Sequence, residues 1–127
     1  MVDPDEVQSY HALSLDHLRG AETMLADHNL APAYHAAIHA LELGVKAALA
    51  TRLARVPRTH NVGGLLGQEF LDDLGPQTCS RINQLVHEYD APRYPDWDAP
   101  ADVHADVAFI AEFLRIRLPA LLTEARR

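Results

Sequence analysis

The chain has 127 residues, 48% of them hydrophobic and 23% charged, which is the size and composition of one soluble globular domain with a core of its own. Its formal net charge of −7 excludes a general nucleic-acid-coating protein with a basic face. The single cysteine, Cys79, excludes an internal disulfide and a cysteine-built zinc site.

The segment Asp3-Pro4-Asp5-Glu6 reads as a helix start. Asp3 is suited to cap, and Pro4 to the first helical position. The opening MVDPDEVQ is acidic and polar, unlike a signal peptide. Val7, Ser14, Leu18, Ala21 and Leu25 then recur at helical spacing. The helix is expected to end near Asp27-His28-Asn29.

After Ala31-Pro32, a second helix is expected from Ala33 to about Leu53. Tyr34, Ile38, Leu41, Val45 and Leu49 share one face, and Ala36, Ala40 and Ala47 lie opposite, where a neighbouring helix can come close. A helix apolar on nearly all sides is a central one. Its narrow polar stripe is His35, His39, Glu42 and Lys46. Two histidines one turn apart, with a carboxylate beyond, can share a metal. No second ligand cluster has matching spacing, so the stripe reads as solvated, with Glu42 and Lys46 an i, i+4 ion pair. No metal and no other cofactor is expected.

Residues 56–61 connect to a shorter helix, Val62 to Leu74, weakened by Gly63, Gly64 and Gly67. GGLLG lacks the preceding strand that a phosphate loop requires. His60 reads as a structural loop histidine. His11, His17, His28 and His104 form no usable arrangement. Gly75-Pro76 ends the third helix, and a fourth is expected from Thr78 to about Tyr89, with Cys79, Ile82, Leu85 and Val86 facing the core. A loop with three prolines follows over residues 90–100. The last helix starts near Ala101, with Val103, Val107, Ile110, Leu114 and Leu121 as its buried stripe and Pro119 kinking it. There is no β-alternation. The expectation is an all-α, up-and-down bundle of four to five helices in one domain spanning residues 1–127. No apolar run approaches the ~20 residues of a membrane span, and the chain reads as cytoplasmic.

Chemistry concentrates in RINQLVHEYDAPRY, residues 81–94. Arg81 and His87 are six positions apart, roughly 120° around an undistorted helix. They share a face only if the helix ends or bulges between them. A histidine beside a guanidinium suits phosphodiester cleavage: the imidazole moves a proton near neutral pH, and the guanidinium stabilises charge on the phosphoryl oxygens. RNA supplies its own nucleophile, the 2′-OH. Asn83 and Tyr89 are placed to hold the phosphate or a base.

The pattern Arg81-I-N-Q-L-V-His87-E-Tyr89 resembles the signature of HEPN domains (higher eukaryotes and prokaryotes nucleotide-binding). YHAAIHALELGVKAALATRL is similar to that family's second helix, THNVGGLL to its histidine-led segment, and RYPDW with the final helix to one subgroup. The resemblance runs from about residue 10 to 122. It implies an all-α HEPN-like bundle that forms a homodimer. It further implies that two Arg–His motifs meet across the interface in a metal-independent RNA-cleaving site, and that the chain is a toxin partnered by a small nucleotidyltransferase antitoxin. By the same analogy Arg81 and His87 are the catalytic pair, Asn83 a helper and Tyr89 the target of modification; Arg93, outside the family motif, is a further candidate phosphate contact. The alternative reading is a non-catalytic module that binds a nucleotide or a nucleotidyltransferase.

Overall fold

The computed structural model describes residues 2–88, 92, 95–100 and 102–124. Every regular element among them is helical: α1 (Pro4–Ala26), α2 (Leu30–Ala50), α3 (Gly63–Leu74), α4 (Pro76–His87), α5 (Val103–Glu112), a π turn (Phe113–Arg117) and α6 (Leu118–Glu124). The last three follow one another without a break, so the architecture is the expected all-α bundle.

Local chemistry explains most of the boundaries. Asp3 Oδ1 accepts the Asp5 N–H at 2.8 Å, with Pro4 in the first turn. At the far end of α1, His28 adopts the left-handed conformation (φ 61). The His28 and Asn29 N–H groups donate to the carbonyls of Leu25 (3.0 Å) and Met24 (2.9 Å). That pair of bonds is a Schellman cap, with histidine where glycine is commonest. α2 begins at Leu30, before Pro32 rather than after it. The first-turn N–H groups of a helix have no intrahelical partner, so a proline there removes nothing. α2 ends at Ala50, three residues earlier than expected, as the Thr51 N–H and hydroxyl both turn back to the Ala48 carbonyl.

α2 is the axis of the bundle. Its residues from Ala37 to Ala50 are almost all buried, and it packs on α1, α3, α4, α5 and α6. Buried residues from every helix join in one hydrophobic cluster. Where α2 meets the π turn the approach is close: a Cβ added at Gly44 would stand 2.2 Å from Leu114 Cδ2.

α3 and α4 form a tight antiparallel hairpin hinged at Gly75 (φ 84), with Pro76 opening α4. α4 therefore starts two residues earlier than expected. Phe70, with φ −127 and ψ 17, kinks α3. Two contacts set the hairpin's register. The Cys79 thiol lies 4.0 Å from the Phe70 carbonyl, and Gly63 meets Asn83 so closely that a Cβ on Gly63 would stand 2.6 Å from Asn83 Cα. Cys79 is a core residue, and burial pushes its thiol pKa up.

Pro119 was expected to kink the last helix, and the distortion precedes it. The Leu118 N–H donates to the Phe113 carbonyl, five residues back. Proline has no N–H for the carbonyl four residues before it and crowds that carbonyl. A wider turn ahead of Pro119 relieves the crowding. The turn leaves Ile116 68% exposed. Arg115 of the same turn forms a forked ion pair with Glu22 of α1, at 2.8 and 2.5 Å. That pairing lowers the Glu22 pKa, the hydrogen bond from Arg115 being the main cause, and raises that of Arg115.

Two glycines of α3 separate space from propensity. Gly63→Ala forces a methyl group against the backbone of α4 and is expected to destabilise the fold by about 1–3 kcal/mol. Gly67 has open space around its missing side chain, so Gly67→Ala is expected to stabilise by about 1 kcal/mol. Urea denaturation of the two variants beside the parent protein checks both signs.

Candidate functional site

The site is built around the outer half of α4. Arg81 is half-exposed and engaged with α5. Its guanidinium lies 4.1 Å above the Phe109 ring, and Nη2 donates to Asp106 Oδ1 at 3.2 Å. Asp106 Oδ2 accepts from the Tyr34 hydroxyl at 3.1 Å. The Tyr34 ring packs against Trp97 at a centroid distance of 5.7 Å. Burial first, and then the Asp106 carboxylate, raise the Tyr34 pKa well above its ordinary value. The phenol is therefore a fixed donor to Asp106, and the aspartate is held by two donors at once. Arg81 thus belongs to an aromatic and acidic shelf made by α2, α5 and the segment holding Trp97.

His87 is the last residue of α4 and is exposed. Its Nδ1 lies 2.6 Å from the Asn83 carbonyl oxygen, one turn back. A carbonyl only accepts, so Nδ1 carries the proton and Nε2 is left as the nitrogen able to take one. α4 runs unbroken through His87. No bulge turns the histidine toward Arg81, and no hydrogen bond joins the two side chains; the helix period keeps them roughly 120° apart. Asn83 lies on the His87 side, wedged against Gly63, and its Oδ1 is buried without a hydrogen-bond partner among the described residues. Tyr89 and Arg93 lie outside the described residues.

The polar stripe of α2 is largely shielded from solvent, with His35, His39 and Lys46 only partly exposed and Glu42 buried. Glu42 is only 2% exposed, and the Lys46 side chain 12%. Glu42 Oε2 lies 3.6 Å from Lys46 Nζ, and Oε1 accepts from His60 Nδ1 at 2.6 Å. A carboxylate inside a bundle needs partners to offset its lost hydration. The i, i+4 lysine supplies one and the loop before α3 the other. His39 packs edge-on against His17 of α1, ring centroids 4.6 Å apart. Among the described residues no group of three or more His, Cys, Asp or Glu side chains is arranged to hold a metal. His60 is the structural loop histidine that its position suggested, with Glu42 as the partner the sequence did not name, and the reading of His17 as unplaced missed its contact. The spacing of His17 and His39, 22 positions apart in the chain, carries no signal.

A family model for the HEPN domain matches residues 13–118, most of the chain. The protein belongs to the HEPN domain family. No curated protein and no solved structure matches it. The helical architecture fits a HEPN bundle, and the matched span contains both the Arg81–His87 helix and the Glu42–His60 pair. No helix among the described residues is long and apolar enough to cross a membrane.

His39 gives this region a pH dependence. Burial, with smaller help from His17, lowers its pKa from the ordinary 6.5. A histidine whose folded pKa is depressed takes up its proton more readily in the unfolded chain, so stability falls as pH drops through the ordinary value and below. His39→Gln is expected to flatten that loss. The check is a smaller shift of the urea midpoint between about pH 7.5 and about pH 5.5 than in the parent, a window that brackets the free-histidine pKa.

Proposed function

We propose that this HEPN protein is a metal-independent endoribonuclease, a toxin whose composite Arg/His site forms between two copies of the chain in the cytoplasm. The observation that carries the reading is His87: an exposed imidazole at the end of α4, with Nδ1–H committed to the Asn83 carbonyl and Nε2 left for proton transfer. The Arg81 guanidinium sits on the same helix. Six positions of α4 hold the two apart within one chain, so a site needing both side chains on one phosphate is completed by the second copy's Arg81 and His87. Asn83, Tyr89 and Arg93 would flank that phosphate, and a small nucleotidyltransferase is the proposed antitoxin. In the reaction the 2′-oxygen attacks phosphorus, the bond to the 5′-oxygen breaks, and a 2′,3′-cyclic phosphate is left. The guanidinium stabilises the charge on the phosphoryl oxygens.

One observation favours a second reading, a non-catalytic module that binds a nucleotide or the nucleotidyltransferase partner. Arg81 already has an anionic partner in Asp106 and lies over Phe109. A guanidinium held over an aromatic ring is a binding arrangement as much as a catalytic one. If Arg81 meets phosphate, Asp106 competes with it. Asp106→Asn, which still accepts from Tyr34, is expected to tighten RNA binding two- to fivefold at low salt, the scale of a partly exposed ion pair. Fluorescence anisotropy with labelled RNA reads this directly.

The deciding experiment is RNA cleavage by purified protein in the presence of a chelator. His87→Ala is expected to lower turnover about 10²–10⁴-fold, the contribution of a positioned acid or base, with cyclic phosphate ends on the residual products. Nucleotide binding without turnover in either protein selects the second reading.

A further inference from the structure

The Glu42–His60 pair lies outside the Arg81–His87 signature. A carboxylate that is 98% hidden from solvent is costly to keep unless it is used or compensated, and here it reaches out of the core to an exposed ring. His60 is 63% exposed, with Nδ1 2.6 Å from Glu42 Oε1. This bond puts the proton on Nδ1, fixes the ring's orientation and turns the Nε2 edge away from the carboxylate. A carboxylate behind an imidazole is the arrangement that orients a proton-transfer histidine and compensates the charge it gains. Lys46 sits on the carboxylate's other oxygen, one turn along α2.

The fold also says where this imidazole lies. α3 and α4 are antiparallel, with Phe70 beside Cys79 and Gly63 against Asn83. His60 is three residues before Gly63, and His87 one turn beyond Asn83. Both therefore lie beyond the Gly63–Asn83 contact, at the open end of the α3–α4 hairpin opposite Gly75. The two histidines are therefore held alike at one end of one hairpin, each with Nδ1 bonded to an oxygen behind it.

We propose that His60 is the second proton-transfer group of the site. One of the two histidines takes the proton from the 2′-OH as the new O–P bond forms. The other, entering protonated on both ring nitrogens, gives its Nε2 proton to the 5′-oxygen as that P–O bond breaks, and Glu42 positions His60 for its part. This rests on the ribonuclease reading above and adds a catalytic residue to it.

The test uses two substrates: an RNA dinucleotide, and a uridine 3′-(4-nitrophenyl phosphate), whose leaving group departs without being protonated. His60→Gln, with His60→Asn as a second variant and melting curves to confirm the fold, is expected to lower kcat on the dinucleotide about 100-fold with KM little changed. Glu42→Gln lowers kcat in the same sense. The activated ester should restore one of the His60→Gln and His87→Ala enzymes to near wild-type rate and leave the other impaired, which assigns the acid and the base. An active wild type whose His60 variants cleave the dinucleotide normally overturns the assignment alone, as does rescue of both variants or of neither. A wild type inert toward both substrates overturns the ribonuclease reading and the assignment with it.

Discussion

The Glu42 carboxylate is the constraint from which the arrangement of the site follows. α2 is apolar on nearly every side because five other helical segments pack on it. A charged residue in that helix has to be met from within the fold. Lys46 meets it from one turn along α2, and His60 from the connection to α3. The second contact anchors the loop that launches α3. Gly63 then sets α3 against Asn83, and Asn83 holds the His87 ring. One buried charge is thereby connected, contact by contact, to the imidazole at the end of α4.

The other half of the site is organised differently. Arg81 is placed by α5, through Asp106 and Phe109, and Asp106 is held in turn by Tyr34. The two candidate side chains of α4 therefore answer to different neighbours: the arginine to α2 and α5, the histidine to the α3 hairpin. The rigidity of α4 keeps these environments apart within one protomer. In the proposed dimeric site, symmetry would supply each copy's arginine with the other copy's histidine on one phosphate.

The number of helices and their faces were legible because apolar periodicity is a local property. Val103, Val107, Ile110 and Leu114 are buried as their spacing requires, and so are Cys79, Ile82, Leu85 and Val86. The start of α2 was misplaced because Pro32 reads as a breaker in sequence, while a helix's first turn tolerates it. The polar stripe of α2 was misjudged for a deeper reason. Spacing shows that His35, His39, Glu42 and Lys46 share a face, but not what that face meets. Its partners, His17 and His60, lie on other elements, and only tertiary packing joins them to it. The Arg81–His87 pair was readable as a motif. That Arg81 turns to Asp106, 25 residues away, was not.

The π turn at Phe113–Arg117 also acts as a phase shift in the code of the last helix. One extra residue per turn rotates everything after it by about 100° relative to an α-helical frame. Val103, Val107 and Ile110 before it and Leu118, Leu121 and Leu122 after it nevertheless all reach the core. The two stripes are thus written in different frames, and a chain one residue shorter between Phe113 and Leu118 would carry them in a single frame.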